Sequence, residues 1–127
     1  MKEYCVDLKI AKELKENGFS QDTLYRYEIH NDGYNICPTY IPINDHVNDI
    51  ILCPTTDEIL KELPFEITGN VLEIVRYENG TIEADYKKEE FFGNSKEYLI
   101  QDKCLYYKLS NALAKLWLHL KTKGYIK

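Results

Sequence analysis

The chain has 127 residues, 44% of them hydrophobic and 29% charged, with sixteen Lys and Arg against twenty-one Asp and Glu for a net charge of −5. These totals describe one domain over residues 1–127 that can bury a core without a metal or disulfide staple, and they exclude a disordered chain. The acidic balance argues against broad binding to nucleic acid or anionic membranes, and no apolar run approaches the ~20 residues that cross a bilayer.

In chain order, Asp7 can cap a first helix that runs to about Asn17. Leu8, Ala11 and Leu14 share its inner face, Lys9, Lys12 and Glu16 point outward, and Gly18 stops it. A strand is predicted over Thr23–His30, where Tyr25, Tyr27 and Ile29 form an apolar face while Arg26 and Glu28 face water. Asn31-Asp32-Gly33 is a turn, and Tyr34–Cys37 returns as the second arm of a hairpin. Residues 38–49 hold Pro38, Pro42, Asn44, Asp45, Asn48 and Asp49 and read as a mobile loop. A short apolar strand, Ile50–Cys53, closes it.

Thr55-Thr56-Asp57-Glu58 is a capping box that opens a helix with Ile59, Leu60 and Leu63 inward and Pro64 at its end. Phe65–Thr68, Val71–Tyr77 and Thr81–Tyr86 read as antiparallel strands joined at Gly69-Asn70 and Asn79-Gly80. In the last of them Ile82, Ala84 and Tyr86 face the core, and Glu83 and Asp85 face water. Residues 87–97 read as a loop. From Leu105 to Leu120, eleven of sixteen residues are apolar or aromatic, and Lys108, Asn111, Lys115 and His119 draw a single wet stripe at helical spacing. A helix from about Tyr106 to Lys123, ended by Gly124, is therefore a spine wedged between a sheet and the other helices. The expected fold is α+β, with three helices on a mostly antiparallel sheet of about five strands.

The four cysteines, Cys5, Cys37, Cys53 and Cys104, stand 32, 16 and 51 residues apart with no CxxC pair, and no signal peptide opens the chain. Free thiols in a reducing cytoplasm are expected. Cys37-Pro38-Thr39 and Cys53-Pro54-Thr55 repeat one phrase, which reads either as a paired thiol site or as two small core fillers beside Pro-Thr turns. Asp45-His46-x-x-Asp49 offers three metal-ligand types within five residues but lacks a fourth ligand nearby. His30 and His119 read as rim residues. Dinucleotide, phosphate-loop, serine-hydrolase and zinc-protease motifs are all absent, so no catalytic, cofactor-binding or metal residue is assigned and no cofactor is expected.

Residues 57–102 carry twelve acids and five bases, a net of −7, whereas residues 103–127 carry six Lys and no acid. Eleven tyrosines exceed the needs of a core this size, and Tyr4, Tyr34, Tyr40 and Tyr125 fall near loops or ends. Tyrosine there adds contact area at low entropic cost.

Three stretches together resemble a family of small proteins encoded by phages, prophages and mobile elements of gut bacteria, described as a phage alpha-beta-alpha sandwich domain. They are Ala11-Lys12-Glu13-Leu14-Lys15-Glu16-Asn17-Gly18-Phe19 with Gln21, Cys53-Pro54-Thr55-Thr56-Asp57-Glu58-Ile59-Leu60, and Leu109-Ser110-Asn111-Ala112-Leu113-Ala114-Lys115-Leu116-Trp117-Leu118. The resemblance implies layered architecture and an accessory role. It implies no catalytic residue. The family commonly has Ala at the place of Cys53 and an acid near Asn111, which argues against a required thiol at Cys53.

The leading expectation is a non-enzymatic interaction protein of phage or mobile-element origin that contacts a host or phage protein. Its candidate surface is Tyr34, Tyr40, Asp45, His46, Asp49, Lys108 and Lys115, with the 87–97 loop as a second contact region. One alternative is a nucleic-acid accessory protein using Lys108, Lys115, Lys121 and Lys123. The other is a thiol- or metal-dependent enzyme.

Overall fold

A computed structural model describes residues 4–20, 22–88, 97–101 and 105–127. The described residues form three helices and six strands: α1 (Leu8–Glu16), β1 (Tyr25–His30), β2 (Gly33–Pro38), β3 (Asp49–Cys53), α2 (Thr56–Glu62), β4 (Glu66–Ile67), β5 (Asn70–Arg76), β6 (Ile82–Lys88) and α3 (Leu109–Lys123). The class is α+β and every strand pairing is antiparallel. The single sheet of about five strands is corrected, because the strands form two three-stranded sheets in the orders β2-β1-β3 and β4-β5-β6.

The edges explain the split. The chain around Cys5 runs beside the end of β3, with Cys5 opposite Thr55, Val6 N–H donating to Pro54 O at 3.1 Å and Thr56 N–H donating to Tyr4 O at 3.1 Å. On the second sheet, the outer edge of β6 bonds to Tyr98 and Tyr106. One outer edge of each sheet is thus occupied by isolated extended residues. Tyr106 exchanges backbone hydrogen bonds in both directions with Ile82, so α3 begins at Leu109 and not at Tyr106.

Local signals set most boundaries. Phe19 N–H returns to Leu14 O at 3.0 Å after Gly18, whose φ of 81° suits glycine. The capping box forms in full: Glu58 Oε1 accepts from the Thr55 N–H at 2.9 Å, and Thr55 Oγ1 accepts from the Glu58 N–H at 3.4 Å. The turn after β4 uses Thr68 and Gly69, one residue earlier than Gly69-Asn70, with both in the left-handed region.

α3 is the spine. It packs against α1, α2 and β6, and Leu113, Ala114, Leu116 and Leu120 are essentially inaccessible. Trp117 lies edge-on to Phe19, with ring centroids 5.0 Å apart and planes at 80°, and the Lys121 ammonium stands 5.9 Å from its ring centre.

The stripe of Lys108, Asn111, Lys115 and His119 is not wet along its length; its first three residues are the seam with α1. Asn111 is buried and exchanges two hydrogen bonds with Asp7, accepting from its N–H and donating to Oδ2, both at 2.9 Å. Lys108 Nζ donates to Asp7 Oδ1 at 2.6 Å, and Lys115 Nζ donates to Glu13 Oε2 at 2.7 Å. Asp7 therefore stands at the N-cap of α1 without capping it through its side chain. Its carboxylate is spent on α3.

Partial burial pulls the Asp7 carboxyl upward, but the bonds from Lys108 and Asn111 outweigh it and hold the group below its ordinary value. A depressed carboxyl adds stability at neutral pH, and the gain is lost as pH falls below about 4 through the folded-state value. Asp7→Asn is expected to lower stability by about 0.5–1 kcal/mol at neutral pH. Thermal unfolding in acid should show that difference shrinking toward zero.

Candidate functional site

β1 is the middle strand of its sheet, and its even-numbered face holds the main departure from the sequence reading. Arg26 and Glu28 were expected in water. Instead they are buried, with side chains 4% and 10% exposed, and their ion pair closes at 2.8 Å. The 38–49 loop folds back along this face. Arg26 Nε donates to Glu28 Oε2 at 2.9 Å, Nη1 to Thr39 O at 3.1 Å, and Nη2 to Ile41 O at 2.6 Å and Cys37 Sγ at 3.6 Å. Planar donor geometry lets one guanidinium grip the two carbonyls that flank Tyr40.

The turn is tied from the other side as well. Ile41 N–H donates to Pro38 O at 3.2 Å, Thr39 N–H to Leu24 O at 2.9 Å, and Thr39 Oγ1 to Thr23 O at 3.0 Å. Further on, His46 O lies 3.3 Å from His30 Nδ1, Asn48 N–H donates to Ile29 O at 2.7 Å, and Asn48 Nδ2 donates to Asn31 Oδ1 at 2.6 Å. The segment expected to be mobile is thus fastened at both ends to β1 and its hairpin.

Its tip is nonetheless apolar and bare. Tyr40 is 84% exposed, beside exposed Leu24, Ile41 and Ile43. From Tyr27 to Leu60 the chain has no Lys or Arg but carries Glu28, Asp32, Asp45, Asp49, Asp57 and Glu58. The stretch that contains the tip is therefore acidic in sequence.

The seven residues read as a surface from sequence do not converge. Tyr40, Asp45 and His46 share the loop, and Asp49 opens β3, where its Oδ1 accepts from the Ile50 N–H at 2.8 Å. Tyr34 sits opposite Ile29, on the other face of the sheet, with its ring 5.4 Å from that of Tyr27. Lys108 and Lys115 are held in the α1–α3 seam, and Lys121 lies over Trp117. Three of the four lysines offered for nucleic-acid contact thus have partners within the chain. Among the described residues, no three His, Cys, Asp or Glu side chains are grouped to hold a metal. Among the described residues, no helix is long and apolar enough to cross a membrane. The 87–97 region lies mostly outside the described residues, as does Cys104.

Cys37 and Cys53 do not form a pair. They flank β1 on opposite sides and opposite faces, Cys37 across from Arg26 and Cys53 across from Tyr25. Cys53 instead meets Cys5, a neighbour that no spacing in the sequence signals. Both are fully buried. The Val6 carbonyl beside them accepts from the Cys53 thiol at 3.5 Å and from the Tyr27 hydroxyl at 2.6 Å. The neighbouring Cys53 holds the Cys5 thiol below its ordinary value, and Cys5 together with burial pushes the Cys53 thiol upward.

A second buried acid was also missed. Asp85, expected in water on β6, is buried and accepts three backbone N–H bonds. Those from Tyr86 at 2.7 Å and Ile100 at 3.0 Å go to Oδ1, and that from Gln101 at 2.9 Å goes to Oδ2. It anchors the 98–101 segment.

Compared with known proteins, the chain matches no family model, no curated protein and no solved structure.

Proposed function

We propose that the chain is a non-enzymatic interaction module whose contact element is the Tyr40 turn. The reading rests on one observation: a buried guanidinium grips the backbone on both sides of an exposed tyrosine. Ordering a loop costs conformational entropy. Here that ordering leaves an aromatic and three aliphatic side chains bare, as a preorganised binding tip does. The matching partner is a protein with an apolar pocket for Tyr40 and Ile41, rimmed by basic side chains that complement Asp45 and Asp49. A host or phage protein in the cytoplasm is the partner that fits the accessory role implied by the phage-type resemblance.

Tyr40→Ala is expected to change stability by no more than about 0.5 kcal/mol, because the ring is exposed. It should weaken partner capture by roughly 30-fold or more, as loss of a central aromatic anchor does. Affinity capture from host lysate checks this, with Tyr107→Ala as the control, since Tyr107 is also highly exposed but lies just before α3. A protein retained by the wild type and the control but lost with Tyr40→Ala supports the reading. Equal retention by all three, or capture of nothing by the wild type, overturns it.

A further inference from the structure

We infer that the free edge of β2 is a self-pairing strand, through which two copies of this chain join antiparallel about a two-fold axis at Asn35. The strand register carries this, independently of the Tyr40 reading. Of the four outer edges, those of β3 and β6 meet isolated extended residues, and β4 is only two residues long. β2 spans six residues, and its side away from β1 meets no strand or bridge among the described residues. In an antiparallel pair, residues that bond their neighbour alternate with residues whose N–H and C=O point away. The two-residue turn makes His30 and Gly33 a bonded pair, and at the other end the Thr39 N–H donates to Leu24 O at 2.9 Å. Asn35 and Cys37 therefore bond β1, while Tyr34, Ile36 and Pro38 turn their backbone groups outward. Pro38 agrees with this: its C=O accepts from the Ile41 N–H at 3.2 Å, and its ring lacks the outward donor. The open edge is thus bounded, with its donors and acceptors on Tyr34 and Ile36.

That set is its own complement. With Asn35 opposite Asn35 of the second copy, Tyr34 faces Ile36 of the second copy, and each such pair exchanges two backbone hydrogen bonds. Tyr34 and Ile36 lie on the face that carries Ile29 and Tyr27, and Tyr34 is 49% exposed. The pairing therefore also sets an aromatic ring against a β-branched side chain. The charge pattern permits it. β2 holds no Asp, Glu, Lys or Arg, the residues with which edge strands refuse such pairing. The antiparallel arrangement also places the two Asp32 turns at opposite ends. Each copy offers this edge once, so the assembly closes as a dimer with β3-β1-β2 continued into its symmetry mate. Pairing over so short a stretch buries less than a standard interface, which gives a weak dimer with a dissociation constant of roughly 0.01–1 mM.

The test is sedimentation of the full chain from micromolar to millimolar concentration, with amide exchange followed by NMR in the same samples. A monomer–dimer equilibrium is expected. With rising concentration the Tyr34 and Ile36 amides become protected, while those of Asn35 and Cys37, already bonded to β1, do not change. Asn35 is exposed, so Asn35→Lys and Asn35→Glu each keep the fold and set two like charges face to face at the axis. Each variant alone should dimerise roughly ten-fold more weakly or worse, and an equimolar mixture of the two should recover the association. A chain that stays monomeric at millimolar concentration overturns the inference. So does a dimer that keeps its strength in Asn35→Lys, a mixture that stays monomeric, or a dimer whose Tyr34 and Ile36 amides exchange as fast as in the monomer.

Discussion

Replacing Arg26 with alanine is expected to destabilise the protein by about 3–5 kcal/mol, because it leaves the Glu28 carboxylate buried without its partner. Chemical denaturation measures the loss directly. The same change removes the donors to Thr39 O and Ile41 O; the turn loosens, and the Thr39 and Ile41 amides, which donate to Leu24 O and Pro38 O, should exchange with solvent faster as those bonds open more often. The double change Arg26→Met with Glu28→Leu separates the two consequences. Apolar side chains of similar size restore most of the stability, but they cannot grip carbonyls, and amide exchange at Thr39 and Ile41 stays fast. A loss below about 1 kcal/mol for Arg26→Ala, the range of a surface pair, would show that the guanidinium is solvated and the turn not held by it.

Trp117→Ala carries a comparable cost, about 3–5 kcal/mol, for a different reason. The indole is buried in the middle of α3 and is the partner of the Phe19 ring that closes α1. Its loss leaves a void between two helices and frees Phe19, so the damage should reach the end of α1. Trp117→Phe keeps an aromatic edge and should cost about 1–2 kcal/mol. Circular dichroism follows both variants, since Trp117 is the chain's sole tryptophan and its fluorescence is lost with it. Near-wild-type stability for Trp117→Ala would contradict a spine packed against α1.

Elements whose signals are local were legible in the sequence. The capping box at Thr55 and Glu58, the Gly18 and Gly124 stops and the apolar surface of α3 depend on neighbours within a few residues, and each lies where its pattern places it. What escaped was decided by distant segments. Alternation on β1 correctly separates Arg26 and Glu28 from the tyrosines, but it cannot reveal that residues 39–48 return to cover them. The same blindness applies to Asp85, covered by residues 98–101, and to the α3 stripe, covered by α1. In each case a polar face marked a second packing surface and not solvent. A usable signal was present on β1: opposite charges two residues apart on one face, followed by a long proline-bearing loop with nothing else to pack on. The division into two sheets and the meeting of Cys5 with Cys53 had no such local trace. Of the candidate surface, the loop was foreseen but its rigidity was not, and the lysines were assigned outward when they bind their own chain.

The Arg26 grip falls on carbonyl oxygens, which every amino acid supplies alike. Nothing in that support depends on which side chains occupy positions 40, 41 and 43. Those letters can drift under selection while the frame that displays them stays intact. The bare side chains of the turn are thus free to change one codon at a time, with little penalty to folding.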